Sequence, residues 1–221
     1  MGPFVDRRNV FMHGAEFDTT YEALMSQLMR NISIALEGCR TELIIQPATS
    51  RDACCINVFP TAPFKISPDV VKILGKRLHL VSDPCIIKVS GVEIALTSSE
   101  VAIFKFNIFN ILLFSSSYLR ITRLSSHLLS QRSLYPLSPT SVPSSLEALH
   151  RLCRLRSAPH MIIAPSIMAG FIKTINGCVV ANPGPLSRGG SGSFLHCDIS
   201  MSVLQDAELF SECGSFQVVK I

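Results

Sequence analysis

Three consecutive residues, His196, Cys197 and Asp198, have the types found in a base-activated thiol nucleophile. In such a site a histidine takes the thiol proton and a carboxylate orients the histidine. The three residues lie in a run where Leu195, Cys197 and Ile199 alternate with polar residues, which predicts a half-buried strand. Because neighbouring side chains on a strand point to opposite faces, we expect these three not to converge into a nucleophilic site.

Two other segments have compositions typical of polyanion binding. Residues 150–156 carry one histidine and three arginines, but no interleaved aromatic residue for base stacking, which favours a solvated basic helix face. Residues 184–192 are rich in glycine but lack the lysine and the spacing of a phosphate-binding loop, which favours a flexible loop. Ser138-Pro139 has the minimal form of a proline-directed phosphorylation site, a dipeptide that is usually incidental.

The composition is apolar and weakly charged, with ample material for a buried core. Of the 221 residues, 48% are hydrophobic and 16% are charged. The balance of 20 basic against 16 acidic residues gives little support to nucleic-acid binding. The eight cysteines form no Cys-x-x-Cys pair and no zinc-type spacing with histidine, which favours a reducing compartment, the cytosol or the nucleus.

We expect neither a secretory signal nor a membrane span. The first residues lack the apolar stretch that a signal peptide needs. The longest apolar run, residues 101–114, has about 14 residues, and a helix that crosses a bilayer needs about 20.

The elements that would position any site follow an α/β pattern. Thr19 and Glu22 form a capping box at the start of a predicted helix that Gly38 ends. Its apolar face consists of Met25, Met29, Ile32 and Leu36. A buried strand is predicted over residues 41–46, followed by a hairpin of residues 85–89 and 92–96 around Ser90-Gly91.

The second half predicts further elements of both types. Residues 121–128 indicate an amphipathic helix, and residues 125–145, rich in serine and proline, a surface loop. Strands are predicted over residues 161–163, 178–180, 195–201 and 216–221, with a short helix at residues 171–175. The whole is predicted to be α/β with mixed strand connections and no internal repeat.

The opening residues 2–7, Gly-Pro-Phe-Val-Asp-Arg, resemble the Gly-Asp-x-Val-Asp-Arg signature of the calcineurin-like metallophosphoesterases. In that family the first aspartate bridges two metal ions that activate water and hold the phosphate. Pro3 stands at that position here and offers no ligand, while the second aspartate is present as Asp6.

The other two signatures of that family are altered as well. Where the family has Gly-Asn-His-Asp/Glu, this sequence has residues 49–52, with Ser50 for the metal-binding Asn, Arg51 for the acid histidine, and Asp52. The Asn-Pro-Gly element is present at residues 182–184, but the preceding histidines fall near Ser166 and Met168. The resemblance therefore implies a phosphoesterase fold with no catalytic residues, no metal ligands and no cofactor.

An inactivated phosphoesterase domain of this kind is typical of the B subunits of replicative DNA polymerases, and the alpha branch is the most similar. The blocks that carry the resemblance are residues 2–6, 50–52, 81–85, 91–94, 96–99, 131–137, 171–173 and 177–184. The resemblance implies a calcineurin-like αββα sandwich, truncated at its N-terminal side, with Asp6 and Asp52 as fold relics that cap turns. Residues 1–221 would form one partial, inactive domain.

The resemblance also implies a function and partners. The chain would be a non-catalytic scaffold of the polymerase alpha–primase complex in the nucleus, acting in the initiation of DNA replication. It would bind the C-terminal zinc domain of the catalytic subunit, reach primase indirectly and DNA through the complex, and have no membrane partner. The alternatives are a small subunit of polymerase delta or epsilon and a working metallophosphoesterase, which the missing ligands disfavour.

Parts of the sequence depart from the family pattern. Residues 104–118 resemble no family segment and are predicted to lie outside the sheets, as an artefact of the gene model. Residues 138–158 form a divergent surface connection. Because the family's sheets begin upstream of Gly2, we expect the 221-residue chain made alone not to be a stable monomer.

Overall fold

The computed structural model describes residues 1–7, 9, 19–48, 51–53, 58–98, 117–140, 142–166, 168–187, 190–205, 207 and 209–221. The chain divides into two compact units, residues 1–83 and residues 84–221. The predicted non-family segment lies outside the described residues between positions 104 and 116. The placement of this segment outside the sheets stays a prediction.

The first unit is a small α/β arrangement around a parallel strand pair. Its elements are helix α1 (Tyr21–Ala35), strand β1 (Leu43–Ile45), helix α2 (Pro68–Leu74), a 3-10 turn (Gly75–Arg77) and strand β2 (Leu78–Leu80). In the strand pair, Leu43 lies opposite Leu78 and Ile45 opposite Leu80. The buried cluster between helices and strands consists of Met25, Met29, Ile45, Phe64 and Leu74.

Helix α1 has the predicted apolar face, but its N-cap lies one residue later than predicted. The side chain of Thr20, not Thr19, caps the helix by accepting a hydrogen bond from the Ala23 amide at 3.3 Å. The prediction placed the cap one residue early because it followed the capping-box spacing of Thr19 and Glu22, whereas the helix begins at Tyr21. Gly38 takes a φ of 77°, the left-handed conformation expected after a helix end.

The second unit contains a mixed five-stranded sheet and a separate hairpin. Its strands are β3 (Cys85–Val89), β4 (Val92–Leu96), β5 (Met161–Ile163), β6 (Phe171–Ile175), β7 (Cys178–Asn182), β8 (Ser193–Ile199) and β9 (Gly214–Lys220). The sheet order is β3-β4-β5-β7-β6, parallel across β4-β5-β7 and antiparallel at both edges, and β8 pairs with β9. Its helices are α3 (Ser117–Ser130) and α4 (Leu146–Leu152).

The central strands of this sheet are buried on both faces. On one face Val92, Met161 and Val179 pack against the β8–β9 hairpin and a 3-10 turn at Phe210–Glu212. On the other face Ala95 and Ile162, which lie side by side in the register, are also fully buried. Such double burial is typical of parallel strands and accounts for their nearly uninterrupted apolar sequences.

Two predictions for this unit are wrong. Residues 171–175 form strand β6, not a helix, because Asn176-Gly177 makes a two-residue hairpin turn in which both residues have positive φ. Residues 125–145 are not wholly a surface loop: the first six belong to helix α3, and Leu134 and Tyr135 are buried in the core. The serine and proline content of residues 125–145 led to the loop prediction, although apolar residues lie among them.

The α/β prediction is confirmed by this mixed central sheet, and the β3–β4 hairpin has the predicted bounds. The stacking of layers into an αββα sandwich stays a prediction. None of the described helices is long and apolar enough to span a bilayer.

The first testable prediction concerns the core of the first unit. Met29 is completely buried, so the change Met29→Ala should lower the free energy of unfolding by about 2–5 kcal/mol through lost burial and the cavity it leaves. On the same helix Ile34 is 67% exposed, so Ile34→Ala should change it by less than about 0.5 kcal/mol. Because the chain made alone is not expected to be a stable monomer, its own unfolding transition is recorded first. Urea titration of both variants then measures the difference, and equal losses would contradict the packing described here.

Candidate functional site

The opening segment of the chain is bonded along its length to the loop that follows strand β1. The Gly2 amide donates to the Gln46 carbonyl at 2.9 Å, and the Ala53 amide donates to the Val5 carbonyl at 2.9 Å. Asp6 and Asp52 form an isolated antiparallel bridge between these two segments. Residues 2–7 therefore pair with residues 46–48 and 51–53 in one irregular two-stranded ribbon, which contains Pro3, Asp6, Arg51 and Asp52.

The carboxylate of Asp52 lies beneath this ribbon. Asp52 has no exposed surface, and its Oδ2 accepts a hydrogen bond from the Phe4 amide at 3.0 Å. Gly2 passes so close that a Cβ there would lie 2.7 Å from the same oxygen and 2.9 Å from the Ala48 amide nitrogen. Glycine at position 2 thus permits the close approach on which the Asp52 hydrogen bond depends.

An ion pair joins the two strands of the ribbon on its outer side. The Arg51 guanidinium lies 2.9 Å from Asp6 Oδ2, and both side chains are 35% exposed. Arg7 adds a second tie, because its Nε donates to the Asp52 carbonyl at 3.0 Å. Asp6 is therefore engaged by a cation of the chain itself.

A dinuclear metal centre does not fit the residues present in this ribbon. Pro3 has no donor atom, Arg51 brings a positive charge to Asp6, and Asp52 is turned to a backbone amide. Two divalent ions need several carboxylate or imidazole donors. Among the described residues, no three His, Cys, Asp or Glu side chains group closely enough to hold a metal ion. Ser50 lies outside the described residues.

A second set of candidate positions surrounds Asn182, the last residue of strand β7. Asn182 is fully buried. Its Oδ1 accepts from the amides of Ser166 at 2.9 Å and Gly184 at 3.0 Å. Its Nδ2 donates to Ser166 Oγ at 2.9 Å, to the Ala169 carbonyl at 3.3 Å and to the Met168 carbonyl at 3.4 Å.

These contacts hold Ser166, Met168 and Ala169 in one turn around Asn182. Ser166 Oγ also accepts from the Met168 amide at 3.2 Å, so both positions predicted for lost histidines belong to one hydrogen-bonded turn. Neither side chain is a good metal ligand of the kind a phosphoesterase needs. The sequence identified Asn182 only as part of the Asn-Pro-Gly element. A polar amide at the end of an apolar strand is the sequence signal that could have indicated its structural role.

The histidine, cysteine and aspartate of strand β8 do not form a nucleophilic group, as predicted. His196 Nδ1 and Asp198 Oδ2 lie 3.7 Å apart on one exposed face, while Cys197 packs into the core cluster on the other. Burial, and then the nearby Asp198 charge, raises the pKa of the Cys197 thiol. Burial also raises the pKa of Cys178 to about 12. Both thiols are therefore poor nucleophiles near neutral pH.

The predicted positions thus fall into two described groups. Within the first unit the structure brings together Asp6, Arg51 and Asp52, with Pro3 in the same ribbon. Within the second unit it brings together Ser166 and Met168 around Asn182. In both sets of residues, polar side chains form hydrogen bonds or ion pairs with other atoms of the protein.

Comparison with known proteins identifies relatives of this chain. The model of the family of DNA polymerase alpha/epsilon B subunits matches residues 1–173, more than half of the chain. The chain belongs to this B-subunit family. Over its whole length it is 39% identical to the DNA polymerase alpha B subunit of Caenorhabditis elegans and covers 38% of that relative. It is 32% identical to the mouse protein of the same name over 86% of the chain and 32% of the relative.

This family member therefore spans well under half the length of the curated relatives it matches. A structural comparison pairs it with Vps29 of Entamoeba histolytica complexed with zinc, over 87% of the chain and 88% of that protein. The TM-score of 0.35 and the 12% identity are too low to carry an argument.

The second testable prediction concerns the Arg51–Asp6 ion pair. Because both groups are about one-third exposed, solvent screens the pair, and a double-mutant cycle with Arg51→Ala and Asp6→Ala should give a coupling of about 0.5–1 kcal/mol. The coupling should fall in about 1 M salt. Strictly additive effects of the two substitutions on the free energy of unfolding would show that the pair contributes nothing.

The third prediction concerns Asn182. The change Asn182→Asp keeps the size of the side chain but removes three hydrogen-bond donations and places a carboxylate against two carbonyls. We expect the free energy of unfolding to fall by about 3–5 kcal/mol. The control Asn176→Asp makes the same chemical change at an exposed turn and should cost less than about 1 kcal/mol. Similar losses for both variants in urea titration would contradict the structural role of Asn182.

Proposed function

We propose that the chain is part of a non-catalytic accessory subunit that holds the DNA polymerase alpha–primase complex together during the initiation of DNA replication. The observation that carries the proposal is the Arg51–Asp6 ion pair, at the position where the family resemblance puts an acid histidine. An arginine stays protonated at physiological pH, so it cannot deliver a proton to a leaving group. It serves here as a structural cation.

The remaining altered positions support the same proposal. We regard seven residues as remnants of a phosphoesterase site: Pro3, Asp6, Ser50, Arg51, Asp52, Ser166 and Met168. Asp6, Arg51, Asp52, Ser166 and Met168 each bond to the protein itself through side chain or backbone, as Asp52 does to the Phe4 amide and Ser166 to Asn182. A domain that has replaced ligands by internal bonds retains its shape, and that shape is what a scaffold needs.

We further propose the partners and the compartment. The chain binds the C-terminal zinc domain of the polymerase alpha catalytic subunit, reaches primase indirectly and DNA through the complex, and acts in the nucleus. Support comes from the family to which the chain belongs and from the relatives that are named as polymerase alpha B subunits.

The fourth prediction tests the absence of catalysis. With Mn²⁺ or Zn²⁺ added, the chain should hydrolyse bis(p-nitrophenyl) phosphate no faster than its heat-denatured control, because the described residues offer no set of donors that could hold a metal ion and activate water. Elemental analysis should find fewer than two bound metal ions per chain. Hydrolysis that Asp6→Asn abolishes would refute the proposal.

The partner proposal has its own test, which does not depend on catalysis. The chain is co-expressed with the C-terminal zinc domain of the alpha catalytic subunit and, separately, with the corresponding domain of polymerase delta or epsilon. We expect a stable complex by size-exclusion chromatography with the alpha domain only. Preference for the delta or epsilon domain would reassign the chain to that polymerase, and binding to none of them would overturn the scaffold proposal for this chain.

A further inference from the structure

A cavity in the second unit lies where helix α3 ends and the 153–156 segment passes beside it. Its volume is about 240 Å³. Its lining residues include two leucines, Leu129 and Leu155, and the polar residues Ser130, Arg132, Arg156 and Asn176. Both arginine residues are exposed, whereas Leu155 is buried. The lining contains no carboxylate and no aromatic ring.

Backbone pairing brings the two arginine-bearing segments together. Ser133 and Arg154 form an antiparallel bridge, flanked by hydrogen bonds from the Leu134 amide to the Cys153 carbonyl at 2.8 Å and from the Leu155 amide to the Arg132 carbonyl at 2.9 Å. Leu134, Cys153 and Leu155 are buried and fix this pairing in the core. The backbone that carries both arginines is therefore held in place by core packing.

The backbone at Arg132 is unusual for its residue type. The amide of Arg132 donates to the Leu129 carbonyl at 3.1 Å and that of Ser133 to the Leu128 carbonyl at 3.0 Å, the pattern of a Schellman helix end. Arg132 occupies the left-handed position of this motif with φ of 49°, a position that glycine normally fills. Any Cβ raises the free energy of this conformation, so the fold carries a cost for having an arginine there.

The charges at the cavity are uncompensated within the described part of the chain. Neither Arg132 nor Arg156 belongs to an ion pair among those residues. An acid does lie close to the cavity, because Glu93 Oε2 accepts from the hydroxyl of the lining residue Ser157 at 3.4 Å, but it forms no ion pair with either arginine. Two arginines beside two leucines form a site complementary to a carboxylate next to an aliphatic side chain.

We propose that this cavity, lined by Arg132 and Arg156, binds an acidic peptide segment of a protein partner, with one carboxylate held by the two guanidinium groups. Pockets for cofactors or drug-sized ligands have about 300–1,000 Å³, so this cavity suits one or two side chains instead. The absence of an aromatic ring in the lining disfavours a stacked nucleotide base. The proposal goes beyond the scaffold function and does not depend on which polymerase the chain serves.

Fluorescence anisotropy with the full 221-residue chain tests the proposal. The probe is a fluorescein-labelled peptide of alternating aspartate and leucine, and its control replaces every aspartate with asparagine. We expect binding of the acidic peptide alone, weakened by added salt because salt screens exposed charges. Arg132→Gln or Arg156→Gln should each weaken binding about tenfold, the loss of one charge-assisted contact. Arg123→Gln, an exposed arginine of helix α3 outside the cavity, should leave it unchanged.

One variant separates a binding role of Arg132 from a structural one. Arg132→Gly removes the side chain and relieves the left-handed backbone, so it should raise the melting temperature by about 2–4 °C while it weakens peptide binding. A purely structural arginine would give a lower melting temperature on removal.

Three results would overturn the proposal. The first is no difference between the acidic and the asparagine peptide at about 1 mM, a concentration that detects even weak affinity. The second is equal loss of binding with Arg123→Gln. The third is tighter, arginine-dependent binding of a phosphoserine peptide or of single-stranded DNA, which would assign the cavity to another class of ligand.

Discussion

The buried carboxylate of Asp52 is the constraint on which the first unit's candidate site depends. A charge without exposed surface is costly unless hydrogen bonds and nearby cations replace its hydration. The Phe4 amide supplies one such bond, and it can do so only because Gly2 lets the opening segment approach the 46–53 loop closely. Undocking that segment would leave the carboxylate without this donor. The need for this hydrogen bond therefore favours the conformation in which the two segments are paired.

The same logic operates in the second unit with an uncharged group. The buried side-chain amide of Asn182 is hydrogen-bonded to groups of Ser166, Met168 and Ala169 in the turn and to the Gly184 amide. Because strand β7 lies between two strands of the sheet, the position of Asn182 is fixed by strand pairing, and the turn is fixed by Asn182. In both units these buried polar side chains are hydrogen-bonded to other groups of the protein, and this bonding fixes the backbone around them.

The sequence predicted elements well where local signals were strong. Two β-rich runs around Ser90-Gly91 predicted the β3–β4 hairpin to the residue, and alternation predicted strand β8. Residues 171–175 were misassigned to a helix although Asn176-Gly177 carries the same type of turn signal and predicts a hairpin. The site residues could be located by family resemblance, but their contacts could not. The bond between the Phe4 amide and Asp52 spans 48 positions, and no local pattern encodes it.

The most direct test of the central claim is the thermal unfolding of the chain with EDTA and with about 1 mM Mn²⁺. A metal ion present at about 100 times its dissociation constant for the native state would stabilise the fold by about 2.7 kcal/mol. We expect superimposable melting curves, because Asp6 is already paired with Arg51 and Oδ2 of Asp52 already accepts from the Phe4 amide. A higher melting temperature in Mn²⁺ that Asp6→Asn or Asp52→Asn removes would contradict this, since it would show that these carboxylates still form a metal site.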